Sequence, residues 1–343
     1  MEDVVLTLAP QPRRPRLPWL DVLKGVAMAF VVINHAMIWP LRTGDGLTAF
    51  AYGTCYWTVA GFAAVTGYLA ASKSMADPVG FLRRRGRQLL GPWALAAPVY
   101  ALAPFVLPLL GLPFPIELDR VPWVISILLG GGALWFLPVL YAASVIATLL
   151  AQRTTSWWPF WVSLGVYAAT AALVRESPLA FGHGTFWAVT PLYVASYWFG
   201  LEVAWGWRLR WNHATWLCLF VASLALPGLT SYLRTTLAMP WLAWLTYAAG
   251  VPGGVSALML ALGTTREPGV VSRAFARLGV DSLGVYVLHP LVLGPLMVVL
   301  PGARTLSGAF VGGSVAISAC YAMVHLYRTK RLKPRADSMN IPG

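Results

Sequence analysis

Acidic side chains are scarce in this chain. Asp and Glu together number 12 of 343 residues, and all charged residues make up only 11%, where an ordinary globular domain carries about 25%. That deficit excludes a soluble protein with a conventionally solvated surface. Cysteine is rarer still: Cys55, Cys218 and Cys320 stand singly inside apolar segments. They form no C-x-x-C pair and no disulfide framework, and read as helix-packing residues. Histidine occurs five times, and no two stand at a ligand spacing such as H-E-x-x-H, so no metal is expected. The phosphate-loop pattern G-x-x-x-x-G-K-[ST] does not occur, so nothing points to ATP hydrolysis. No internal repeat, low-complexity tract or second domain is legible.

What abounds is apolar. Hydrophobic residues make up 58% of the chain, and the mean hydropathy is +0.67. Several runs reach the roughly 20 residues that a bilayer's hydrocarbon core demands. The expected fold is therefore an all-α polytopic membrane protein of one domain. Proline, glycine and charge punctuate it into ten candidate helices, at about 19–40, 48–71, 89–110, 124–150, 157–174, 185–206, 213–232, 237–262, 280–300 and 305–327. The fourth is overlong. It is expected to begin as a short interfacial or re-entrant piece, break at Gly130 to Gly132, and restart at "ALWFLPVLYAASVIATLL".

The loop charges give an orientation. One set of loops and ends holds nineteen Lys and Arg, the other holds five, and only Lys24 lies within a span. Basic residues favour the cytoplasmic side, which places both termini inside. The net charge of +13 is thus mostly topological, and a nucleic-acid partner is not expected. Residues 1–17 read as a basic cytoplasmic lead, 18–327 as the ten-helix domain and 328–343 as a basic cytoplasmic tail. The first span is too long and too polar for a signal peptide, and no A-x-A-like site follows it.

Within "PWLDVLKGVAMAFVVINHAMIWP", Lys24 and His35 are costly at membrane depth, and an intramembrane ionisable group marks function by default. Two readings stand for each. Lys24 either snorkels to the inner surface or serves a site, with Asp21 one turn earlier as its partner. His35 is either a satisfied structural histidine or a chemical group. Eleven residues separate them, so they share one stripe of the helix about 16 Å apart along its axis. A second basic feature is "GFLRRRGRQLLGP". It is either a positive-inside loop attracted to anionic lipid heads or, through Arg84 and Arg87 one turn apart, a guanidinium clamp for phosphate. His289 in "VYVLHP" reads as a helix-linking hydrogen bond or a cavity-lining group. Asp281, Ser282 and His289 form no triad, because Asp281 and His289 lie about 80° apart around a helix, and Ser282 reads as the helix cap. Glu202 is expected to be paired near the inner end of its span. Trp57 and Trp135 are candidates for a sugar-facing wall.

Four stretches in order resemble the bacterial membrane acyltransferase family 3. "RLPWLDVLKGVAMAFVVINH" resembles its opening basic residue, ten residues, then histidine. "FLRRRGRQLLGPW" resembles its Arg-x-x-Arg segment, "ALWFLPVLY" its Leu-Trp-Phe-Leu helix start, and "RLGVDSLGVYVLHPLVL" its late Ser-x-x-x-Tyr-x-x-His stretch. The likeness runs from about residue 16 to 327. It implies an O-acyltransferase of the bacterial inner membrane. The donor is a cytosolic acyl-CoA, by default acetyl-CoA, and the acceptor a hydroxyl of a sugar, envelope glycan or glycosylated metabolite. It implies His35 as the essential histidine, Lys24 as its basic partner, and Arg84 and Arg87, adjoined by Arg83, as the acyl-CoA-binding pair. Asp21, Trp135 and His289 are implied as supporting or cavity residues. This sequence departs from the family by carrying Lys24 for the commoner arginine. A longer gap from Arg87 to Pro92 leaves open which two of Arg83, Arg84, Arg85 and Arg87 form the pair. His35 then acts either as general base or as a transient acyl carrier. A transporter or flippase would also bury a lysine and a histidine, but only one helix break is legible and it has no second-half counterpart.

Overall fold

The computed structural model describes residues 17–38, 46–111, 124–173 apart from 126, 129 and 131, 185–207, 212–300 apart from 240 and 265, and 305–337. All regular structure among these residues is helical. That is what a bilayer demands, because an α-helix satisfies each backbone N–H and C=O within its own segment. The helices are α1 (Pro18–Ile38), α2 (Gly46–Gly53), α3 (Trp57–Ala76), α4 (Pro78–Leu109), α5 (Phe136–Ala151), α6 (Trp158–Leu173), α7 (Thr185–Ala188) and α8 (Thr190–Ala204). They continue as α9 (His213–Thr236), α10 (Leu242–Gly263), α11 (Val270–Val280), α12 (Ser282–Val299) and α13 (Leu306–Asp337).

Six of these, α1, α4, α9, α10, α12 and α13, are long and apolar enough to cross a membrane. The protein is therefore a multi-pass membrane protein. Helices α5 and α6 are apolar but only 16 residues each. At 1.5 Å per residue such a helix spans about 24 Å, short of a hydrocarbon core about 30 Å thick. Hydropathy smooths over two interruptions. The segment expected at 48–71 divides at residues 54–56 into α2 and α3, and that expected at 185–206 divides at Val189 into α7 and α8. The glycine break is present: Gly130 and Gly132 adopt φ of +84° and +62°, a left-handed conformation that costs glycine nothing. A single 3-10 turn, Gly132–Leu134, then leads into α5. The expected boundary at 327 is also passed, since α13 continues to Asp337.

Helix α11 was not expected from hydropathy, because Arg273 and Arg277 hold its mean too low for a span. It packs against α1 at a very close crossing. A Cβ on Gly25 would collide with the Phe275 carbonyl, and one on Gly279 with the Asp21 carbonyl. Helices α3 and α8 cross in the same way, Gly67 against Tyr197 and Gly200 against Ala64. In lipid, where tails are as apolar as leucine, small residues that let backbones approach drive such packing. These two crossings fix α1 and α3, which carry much of the site.

Candidate active site

The site begins at the α3–α4 corner. Pro78 opens α4, where its missing N–H costs nothing, and Asp77 caps it, with Oδ1 accepting from the Gly80 N–H at 2.8 Å. The other oxygen of Asp77 accepts from Arg84 Nη1 at 3.3 Å. Arg85 turns further inward. Its Nη1 donates to Gln88 Oε1 at 2.8 Å and its Nη2 to Thr66 Oγ1 on α3 at 3.1 Å, while Nε is buried with no hydrogen-bond partner. Arg83 and Arg87 are exposed.

Helices α1, α3, α4, α5, α11 and α12 line a cavity of about 430 Å³, within the range of about 300–1,000 Å³ typical of ligand pockets. Lys24, Lys73, Arg84 and Arg85 line it, and among the described residues no carboxylate does. Four cations converging on one concave surface suit a ligand with several negative charges. Lys24 lines this cavity, and it pairs with Asp21 at 2.6 Å. Arg83 and Arg87 are not among the lining residues. The stripe explains why. Phe81, Arg84, Arg85, Gln88 and Leu89 follow the i, i+3, i+4, i+7, i+8 spacing of one helix face, with Phe81 and Leu89 buried. Arg83 and Arg87 lie off that face. The expected pair, Arg84 and Arg87, followed one-turn spacing and the Arg-x-x-Arg likeness and left Arg83 and Arg85 open; the apolar residues at 81 and 89 mark the side on which Arg84 and Arg85 lie.

Apolar and aromatic groups, among them Met28, Phe62, Phe136 and Tyr286, also line the cavity. His35 is not a lining residue; it lies on the same stripe of α1 as Lys24 and Met28, two turns beyond Met28. Its Nδ1 is 2.7 Å from Nε2 of His289 on α12. His289 is fully buried, and its Nδ1 is 2.7 Å from the Tyr286 carbonyl oxygen. His35 and His289, 254 residues apart in sequence, thus meet directly. His289 links two helices, the first of its two expected readings. It is not a lining residue of the cavity, although Tyr286, whose ring lies 5.5 Å from it, is.

The remaining expected residues take other places. Trp135 precedes α5 and packs its ring against Tyr193 at 5.9 Å, outside the lining. Trp57 is buried against Phe30 and Phe220 and does not line this cavity. Ser282 does not cap α12. It is the first helical residue, the flanking Asp281 makes no side-chain cap bond, and Ser282 lines the cavity instead. Asp281 pairs with Arg328 of α13, which leaves the rejected triad without its acid. Glu202 accepts from Trp198 Nε1 at 2.9 Å. Among the described residues no group of three or more His, Cys, Asp or Glu side chains is arranged to hold a metal ion.

The profile of the acyltransferase domain of family 3 matches residues 17–325. The chain belongs to that family. It is a membrane acyltransferase. No curated protein and no solved structure matches it. Within this acyltransferase, the cavity lined by four cations and the contact between His35 and His289 are the features on which a functional reading can be built.

Proposed function

We propose that this acyltransferase moves an acyl group, acetyl by default, from a cytosolic acyl-CoA to a hydroxyl of a carbohydrate, envelope glycan or glycosylated metabolite. In this reading the chain crosses the bacterial inner membrane ten times with both termini in the cytoplasm. The observation that carries it is the cavity lined by four cations, one of which, Lys24, shares a stripe of α1 with His35. The CoA phosphates bind Arg84 and Arg85, with Lys24 and Lys73 adding charge. The pantetheine arm enters toward Phe136 and Tyr286, which must part for the thioester to reach His35. There His35, as general base, takes the proton of the acceptor hydroxyl while its oxygen attacks the thioester carbon. The C–S bond breaks, and the CoA thiolate leaves and is protonated. A thioester is already activated, so the protein's task is placement and proton acceptance.

The test uses purified protein in nanodiscs. Titration with acetyl-CoA should show saturable binding, and mass spectrometry of cells with and without the gene should show a gain of one acyl mass on a defined hydroxyl. His35→Ala should keep acetyl-CoA binding and lose the product. A variant that forms product at the normal rate removes His35 from the chemistry. Absence of acetyl-CoA binding in the unmodified protein removes the donor, and leaves a transporter as the better reading.

A further inference from the structure

The histidine pair contains a directional chain that starts from a proline. In a regular helix the Tyr286 carbonyl accepts from the N–H of residue 290. That residue is Pro290, which has none, inside α12. The carbonyl is therefore released from the helical ladder, and the side chain of His289 occupies it through Nδ1 at 2.7 Å. A carbonyl oxygen only accepts, so Nδ1 of His289 carries the hydrogen. In neutral His289 the other nitrogen, Nε2, is then an acceptor. It faces Nδ1 of His35 at 2.7 Å, so the hydrogen between the rings belongs to His35. The ring centroids lie 4.8 Å apart with planes 17° from parallel. That separation exceeds the N···N distance by about one ring width, so the rings meet edge to edge rather than face to face. An in-plane lone pair thus faces an in-plane N–H.

We propose that His289 is a positioning residue for His35: held by the carbonyl that Pro290 releases, it fixes His35 as the Nδ1–H tautomer and makes Nε2 the basic nitrogen. This rests on the reading of His35 as the base. A free imidazole exchanges between its two tautomers, and only one of them presents a lone pair at Nε2. His289 removes that choice before substrate arrives. The hydroxyl proton goes to His35 Nε2, the imidazolium that forms keeps its Nδ1–H bond to His289, and the proton then returns to the CoA thiolate.

The experiment reads the tautomer directly. Protein labelled with ¹⁵N-histidine, in nanodiscs without substrate, reports protonated and unprotonated ring nitrogens at well-separated shifts. The signal lost in His35→Ala assigns His35. The unmodified protein should show His35 with protonated Nδ1 and unprotonated Nε2. His289→Gln, whose side-chain oxygen still accepts, should preserve that pattern and keep acetyl transfer within a few-fold. His289→Phe should mix the tautomers and lower transfer at constant acetyl-CoA affinity by about 10²-fold, within the range of general-base effects. A protonated Nε2 on His35 in the unmodified protein overturns the proposal, whether or not His289→Phe folds. So does an unchanged pattern in a folded His289→Phe. Failure of the underlying reading looks different: His35→Ala retains transfer although the tautomer is as expected.

Discussion

At the scale of single residues, the balance lies between what a side chain is and what surrounds it. Arg85 and Arg87 are the same residue type two positions apart, yet only Arg85 lines the cavity, bonded to Thr66 and Gln88. Bonds to charged groups contribute about 1.5–3 kcal/mol. Arg85→Ala is therefore expected to weaken acetyl-CoA binding by about 10- to 100-fold in calorimetric titration. Arg87→Ala should change it less than about twofold, since an exposed cation interacts through screened solvent. Arg85→Lys should fall between, because lysine keeps the charge but loses the guanidinium fork. Equal effects at 85 and 87 would place the ligand elsewhere. His35 and Lys24 were legible because an ionisable group in an apolar run is conspicuous in any sequence. The His35–His289 contact was not, since nothing local links residues 254 positions apart.

At the scale of helices, the site depends on how closely α1 meets α11. The obstacle to a Cβ at Gly25 or Gly279 is backbone, the Phe275 and Asp21 carbonyls, and backbone does not yield as a flexible side-chain end does. Gly25→Ala should force the helices apart, with an overpacking cost of about 1–3 kcal/mol or more. It should lower the thermal midpoint in detergent and weaken acetyl-CoA binding, because α1 carries Lys24. Gly91→Ala is the control: an added Cβ there meets nothing within 4 Å. Alanine is favoured over glycine in a helix by about 0.5–1 kcal/mol, so the midpoint should hold or rise. A Gly25→Ala protein as stable as the control would show that the crossing adjusts freely. Hydropathy located most of the long helices but not their interruptions. The break at Gly130 to Gly132 announced itself through a run of glycines, whereas the turn at 54–56 follows a single glycine, Gly53, that is itself still helical. Helix α11 was hidden because its pattern is amphipathic, and a hydropathy window averages its arginines with its apolar face.

At the scale of the whole molecule, charge distribution and cavity position make a joint claim. In the proposed orientation the basic loops face the cytoplasm, and the cavity lined by Lys73 and by Arg84 and Arg85 beyond the α3–α4 corner would open on that side. Reporter fusions at the two ends of the chain should both report a cytoplasmic location. One end on each side would require an odd number of crossings and would overturn the ten-span reading. Binding of acetyl-CoA should also weaken as salt rises from about 0.01 to 1 M, where the screening length falls from about 30 to 3 Å. Salt-independent binding would mean that the four cations do not hold the phosphates.

The sequence alone determined that this chain lives in a membrane, that it is helical, and that Lys24 and His35 stand on one face of the first helix. Those facts follow from composition and from periodicity along a single segment. Only the tertiary structure decided that Ser282 lines the cavity rather than caps a helix, and that His289 reaches His35. Each of these is set by which neighbouring helix covers which face. That choice is made by packing between segments distant in sequence, and no local pattern encodes it.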